Sequence, residues 1–178
     1  SSAASDVYKR QEELTGLKAF IGNDANVAAL GEMWKGGGAG EKNMIMVTLG
    51  TGVGGGVIID GKMLVGCNGA GGEIGHICVN YEEKDCCGCG NRGCLEQYAS
   101  ATGIVRLAKQ KLETEKRETM LNKEKITAKD VFDAVKAGDE VADEIAVSFG
   151  KYLGYGLANL AAVVNPCLLY TSPSPRDR

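Results

Sequence analysis

With 178 residues, 44% hydrophobic and 24% charged, the chain has the balance of a globular domain or of a piece of a larger protein, and excludes a disordered one. Its 26 glycines are roughly twice the usual share, but they follow no three-residue period, which excludes collagen. A net charge of −3 supplies no field for holding nucleic acid or an anionic membrane.

The first residue is not methionine, and Ser1 to Gln11 shows neither helical nor strand periodicity. Leu17 to Ile21 is short and apolar and predicts a strand ending at Asn23-Asp24. Ala25 to Trp34 then predicts a helix with Val27, Leu30 and Trp34 on one side. Gly36 to Gly40 reads as a loop. Met44 to Leu49 and Gly56 to Ile59 are continuous apolar runs of strand length, and Asp60-Gly61 signals a two-residue hairpin into Lys62 to Val65.

The later half reads as helical. Ala101 to Leu112 is amphipathic, and Glu113 to Lys125 is charged and expected to be solvated. Thr127-Ala-Lys-Asp130 resembles a capping box, with Val131, Phe132 and Val135 as the buried face and Gly138 as the stop. A longer helix runs from about Asp139 to Val164, its second half rich in Ala and Gly and suited to close packing. Its most apolar stretch, Leu153 to Val164, carries Asn159 and is too short to cross a bilayer. Past Asn165-Pro166, Cys167 to Arg178 offers no core face. Residues 1–11 and 167–178 therefore read as foreign flanks on a gene fragment, with a genuine terminal tail as the alternative. The class is α/β or α+β with mixed strand pairing.

Four of the seven cysteines crowd into Cys86 to Cys94. Neighbours so close cannot all pair in relaxed disulfide geometry, so the cluster points to metal or free thiols in a reducing cytoplasm. Cys87, Cys89 and Cys94 are separated by glycines that let a short chain fold back, and the only histidine is His76. Together they make a Cys3His set suited to a structural Zn²⁺, with Cys86 as a competing ligand. Free cysteines on a glycine loop are the plainer alternative, though exposed thiols without metal invite oxidation.

Gly50-Thr-Gly52-Val-Gly54-Gly55-Gly56 contains the Gly-x-Gly-x-x-Gly spacing, but it leads into a strand and not a helix, so the dinucleotide reading fails. A glycine turn between strands can present backbone N–H groups to phosphate, with Thr51 adding a hydroxyl; a tight hairpin without a ligand is the alternative. Asp24 at a strand-to-helix junction is either a helix cap or a carboxylate placed to take a proton from an alcohol. Glu73 and His76 stand on a second glycine-rich turn, and Glu96 follows Cys94 closely. Carboxylates with a histidine suit the selective recognition of sugar hydroxyls.

Four segments in order, Asn23 to Glu32, Leu49 to Gly56, Gly72 to His76 and Cys87 to Glu96, resemble the ROK family of repressors and sugar kinases, over roughly Glu12 to Pro166. The resemblance implies the actin-like, ribonuclease-H-like ATPase fold, an α/β arrangement of two domains closing over sugar and ATP. Residues 12–40 would end the first domain and 41–166 would form the second. It implies Asp24 as catalytic base, and Asn23, Asp24, Glu73, His76 and Glu96 as sugar ligands. Gly50, Thr51, Gly52, Val53, Gly54, Gly55 and Gly56 would contact ATP phosphates, with Mg²⁺ alongside. A zinc site at His76, Cys87, Cys89 and Cys94 would brace the sugar loop. The expected activity is ATP-dependent phosphorylation of glucose, with a sugar-responsive repressor, or a kinase for fructose, mannose or an N-acetylhexosamine, as alternatives. Expected partners are a hexose, ATP and a second copy of the complete protein, without membrane or nucleic acid. The family's N-terminal Asp-x-Gly-Gly-Thr phosphate loop does not occur here. The strand and adenosine-binding turn that follow Asn165-Pro166 in the family are expected to be replaced from Cys167, leaving this chain inactive alone.

Overall fold

In the computed structural model, which describes residues 2–173, the apolar run at Met44 forms β1 (Met44–Leu49). It pairs antiparallel with β2 (Val53–Ile59), from Met44↔Ile58 to Leu49↔Val53. Met44, Ile45, Met46 and Val47 are all buried, because β1 is covered on both faces; a strand so placed needs a continuous apolar run. Asp60 and Gly61 have φ of 51° and 75°, the left-handed turn that suits strand twist, and β3 (Lys62–Met63) completes the expected hairpin, although it stops two residues short of the expected Val65. On its other edge β1 takes a parallel neighbour, β4 (Leu168–Pro173), giving the order β3-β2-β1-β4. The mixed pairing is as expected.

Among the described residues six α-helices accompany the sheet: α1 (Ser2–Thr15), α2 (Asp24–Lys35), α3 (Glu96–Ala99), α4 (Ala101–Thr114), α5 (Ala128–Lys136) and α6 (Glu140–Val164). One sheet face packs on α6 through Leu153, Leu157 and Leu160 against Ile45, Val47, Val57 and Leu95. The other packs on α2, where Ala29 meets Met44, Met46 and Ile58. Helices α4, α5 and α6 share a third core of Ile104, Val131, Val141 and Ile145. Each such side chain contributes about 1.5–3 kcal/mol by leaving water. The capping box forms as expected: Thr127 accepts from the Asp130 N–H, and Asp130 accepts from the Thr127 N–H. Among the described residues no helix is long and apolar enough to cross a membrane.

Several expectations are corrected. The N-terminal flank is helical from Ser2, although Val7 and Leu14 stay exposed; no residue from Val7 to Thr15 is buried, so no apolar period announces the helix. The C-terminal flank does have core faces. Leu168 and Tyr170 pack on the α2 side of the sheet and Leu169 on the α6 side. That alternation is only three residues long and is followed by Thr, Ser and Pro, which hides it in the sequence. Ser1 and residues 174–178, the outer parts of the two flanks, lie outside the described residues.

Leu17 to Ile21 forms no strand; Leu17, Phe20 and Ile21 are 60–80% exposed. A lone extended segment with no neighbour to pair with gains no ladder hydrogen bonds. In α2 the buried residues are Ala25 and Ala29, while Val27, Leu30 and Trp34 face away from the sheet. In α5 the buried residues are Val131 and Ala134, and Phe132 reaches sideways to make an edge contact with Phe149. The charged stretch from Glu113 is mostly solvated, but Leu121 is buried against the helical core and the Glu115 side chain, paired with Arg117 and Lys111, is only 10% exposed.

Candidate active site

Strand β2 is squeezed between two elements, and its glycines are the reason both fit. A Cβ at Gly56 would lie 2.3 Å from the Ala29 Cβ, so α2 rests directly on the strand and its N-terminus reaches the sheet's end. On the opposite face, a Cβ at Gly75 would lie 2.1 Å from the Val53 carbonyl oxygen. This lets the single 3-10 turn Ile74–His76 sit on the strand, with Glu73 and His76 at its ends. Alternating faces of one strand thus deliver Asp24 from one side and Glu73 with His76 from the other.

The helix cap is Asn23, whose Oδ1 accepts from the Ala25 N–H at 2.9 Å; Asp24 Oδ1 also lies 3.1 Å from that nitrogen. The capping role that the sequence offered to Asp24 therefore falls mainly to its neighbour.

The glycine segment is shorter as a turn than expected. Only residues 50–52 turn, closed by the Gly50 N–H donating to the Gly52 carbonyl at 3.0 Å, and Val53 already opens β2. The turn is docked on the junction of α3 and α4. The Ala101 N–H donates to the Gly50 carbonyl at 2.8 Å, Thr102 Oγ1 to the Thr51 carbonyl at 2.8 Å, and the Val53 N–H to Glu96 Oε2 at 3.2 Å.

These elements enclose a cleft of about 260 Å³. Asn23, Asp24, Glu73, His76 and Glu96 all line it, as do Thr51, Gly52, Val53, Gly54 and Gly55. Gly50 and Gly56 do not: Gly50 is engaged behind the turn with Ala101, and Gly56 lies under α2. Thr48 also lines the cleft. Sequence reading passed over it, although it is the one polar residue in the apolar run of β1.

Behind the cleft, the donor atoms of His76, Cys87, Cys89 and Cys94 all lie within 4.8 Å of one another. His76 Nδ1 is 3.9 Å from Cys87 Sγ, and the Cys89 and Cys94 sulfurs are 3.6 Å apart. Thiolates about 2.3 Å from a tetrahedral ion stand about 3.8 Å apart, so the cage fits a metal of that size. Cys86 is exposed and outside this group, because its backbone bridges to Arg92 and turns it away. Burial pushes the Cys94 thiol up to about 12 and raises Cys87, while the Asn91 backbone N–H lowers Cys89. Buried thiols of this kind become thiolates when a cation supplies the compensating charge. Glu96 joins the two sites: its Oε1 is 3.7 Å from Cys87 Sγ while Oε2 holds the turn.

Comparison with known proteins places the chain in a family. A sequence model of the ROK family matches residues 2–169. The chain is 51% identical over 160 residues to a glucokinase of Halalkalibacterium halodurans, covering 87% of this chain and 48% of that protein. It is 36% identical over 154 residues to a xylose repressor of Caldicellulosiruptor bescii, covering 84% of this chain and 38% of that one. Among solved structures, a ROK family glucokinase from Streptomyces griseus in complex with glucose and AMPPNP superposes with a TM-score of 0.79 at 36% identity, over 96% of this chain and 56% of that one. The chain spans about half the length of the curated relatives it matches. Its fold is the actin-like ATPase fold of the ROK sugar kinases.

Proposed function

Because this chain belongs to the ROK family, we propose that the protein phosphorylates a hexose with ATP as donor, and that the hexose is glucose. The observation that carries this reading is the placement of Asp24 at the head of α2, in one cleft with Thr51 to Gly55, Glu73, His76 and Glu96. The 51% identity to a glucokinase, against 36% to a xylose repressor, supports the enzyme over the regulator.

In this reading Asn23, Glu73, His76 and Glu96 hydrogen-bond the sugar hydroxyls and turn O6 toward Asp24. The Asp24 carboxylate accepts the O6 proton as O6 attacks the γ-phosphorus in line, and ADP leaves with the electron pair of the broken P–O bond. Thr51 and Gly52, which line the cleft at the tip of the turn, face the phosphates. Mg²⁺ bound with the nucleotide would neutralise charge on the transferring group. Catalysis is then mostly positioning, worth many orders of magnitude when the reacting atoms are aligned.

His76, Cys87, Cys89 and Cys94 would hold a Zn²⁺ whose role is structural, since all four positions are protein donors. Nδ1 of His76 faces the cysteines, which leaves Nε2 to donate to a sugar hydroxyl. We further assign residues 12–40 to the end of a first domain and 41–166 to a second, in a cytoplasmic protein that acts as a homodimer when complete.

The test is ATP-dependent phosphorylation across a hexose panel with the complete protein. We expect glucose to turn over with the highest kcat/KM among glucose, fructose, mannose and the N-acetylhexosamines. Sugar binding without turnover of any hexose would instead assign the cleft to a sugar-responsive repressor.

A further inference from the structure

Arg106 stands on α4, outside the cleft, and nothing in the proposed chemistry uses it. Its Nη2 donates to Glu83 Oε2 at 2.7 Å and to Asp85 Oδ2 at 2.9 Å, and its guanidinium lies 5.6 Å from the centre of the Tyr98 ring. The Tyr98 hydroxyl donates to the same Glu83 oxygen and accepts from Asn80 Nδ2 at 3.0 Å. The Tyr98 ring is buried and stacks on Tyr152 of α6 with centroids 4.0 Å apart. Glu83 Oε1 accepts the backbone N–H groups of Lys84 and Asp85, and the Gln97 side chain links the Asp85 carbonyl to the Cys94 N–H.

The loop between the 3-10 turn and α3 therefore has two attachments. Residues 86–94 carry three of the four candidate metal ligands. Residues 80–85 carry none, and are tied instead to α3, α4 and α6 through Tyr98, Arg106 and Tyr152. An exposed ion pair contributes little, but here the Glu83 side chain is only 10% exposed. It is shared by a guanidinium and a buried phenol, so removing Arg106 leaves a mostly buried carboxylate short of its cationic partner. Segment 80–85 also meets α3 directly, through the Tyr98 hydroxyl on Glu83 and the Gln97 side chain on the Asp85 carbonyl, and Glu96 is the first residue of that helix.

We propose that Arg106 is a positioning residue: with Glu83 and Tyr98 it anchors residues 80–85 independently of the metal, and thereby holds Glu96 at the cleft. The anchor stands on its own geometry; its effect on sugar affinity rests on the kinase reading.

The experiment is amide hydrogen exchange on the complete protein, with and without chelator treatment, beside steady-state kinetics. Wild type, Arg106→Gln, Glu83→Gln and, as a control on the same helix, Lys109→Gln are compared. Chelator-treated wild type should keep residues 82–85 protected while residues 87–91 exchange faster; a protein isolated without metal is already in this condition. In Arg106→Gln, residues 82–85 should exchange about tenfold faster, with α4 and α5 unchanged as evidence of folding. Glucose KM should rise about fivefold, with kcat and the KM for ATP within about twofold of wild type. Glu83→Gln should repeat this pattern, which guards against misfolding of any single variant, and Lys109→Gln should match wild type. Unchanged exchange at residues 82–85 in folded Arg106→Gln overturns the anchor, as does loss of their protection on chelation alone. Faster exchange with unchanged glucose KM overturns the link to Glu96. A wild type that phosphorylates no hexose would overturn the kinase reading while leaving the exchange result to decide the anchor.

Discussion

At Gly75 there is no room for a methyl group, since its Cβ would meet a backbone oxygen of β2 at 2.1 Å. Neither partner is a flexible side-chain tip, so Gly75→Ala must push the 3-10 turn off the strand and carry Glu73 and His76 with it. We expect a stability loss of about 1–3 kcal/mol, together with weaker sugar binding. Gly88, between two candidate ligands, has open space around its would-be Cβ, so Gly88→Ala should stay within about 0.5 kcal/mol of wild type. Urea denaturation of both variants in the complete protein checks the contrast; equal losses would mean that close approach to β2 does not explain the glycine. The same comparison shows how far residue types can be read in advance. That Glu73 and His76 belong together follows from their spacing. That Gly54 to Gly56 serve strand packing more than a turn does not, because a glycine spared for a neighbour's sake looks identical in sequence to one spared for its own backbone.

Among the elements, those specified by local chemistry were legible: the Asp60-Gly61 hairpin, the Thr127–Asp130 cap and the long helix ending at Asn165, whose φ of 46° is left-handed. Those whose burial depends on distant partners were not. The buried face of α2 is set by the glycines beneath it, which favour Ala25 and Ala29 over the larger Val27 and Trp34. Strand β4 exists because β1 offers it an edge. The anchored segment 80–85 was equally invisible, since Glu83 meets Arg106 and Tyr98 only after folding. Its electrostatics make a testable claim. Burial alone would raise the Glu83 carboxyl, but hydrogen bonds from Tyr98, the Asp85 N–H and Arg106 outweigh it and bring it down to about 2, from an ordinary value of 4.5. A carboxylate with a lowered folded value stabilises fully above its unfolded value, and that contribution is lost as pH falls through the folded one. In metal-free protein, protection of residues 82–85, corrected for intrinsic exchange, should therefore be flat above pH 4.5 and decline toward pH 2. Glu83→Gln should show lower protection throughout and no such decline. A wild-type decline that the variant shares would assign the titration to another group.

For the whole molecule, the site is a meeting of parts that are far apart in sequence. Helix α2 brings Asp24, β2 and the glycine turn bring Thr51 to Gly55, and the cysteine loop brings Glu96 to the same cleft. Val27, Leu30 and Trp34 leave a face of α2 uncovered beside it. We expect the remainder of the complete protein, about as long again as this chain by comparison with its relatives, to close over that side. The central claim is that Asp24 is the base for phosphoryl transfer to the sugar, and the most direct measurement is kcat for Asp24→Asn in the complete protein, set beside its glucose Kd. Asparagine keeps the size and the hydrogen-bonding reach but cannot accept the proton. The account predicts a fall in kcat of about 10²–10⁴-fold with glucose affinity changed by less than about tenfold. Retention of wild-type kcat by Asp24→Asn would contradict it.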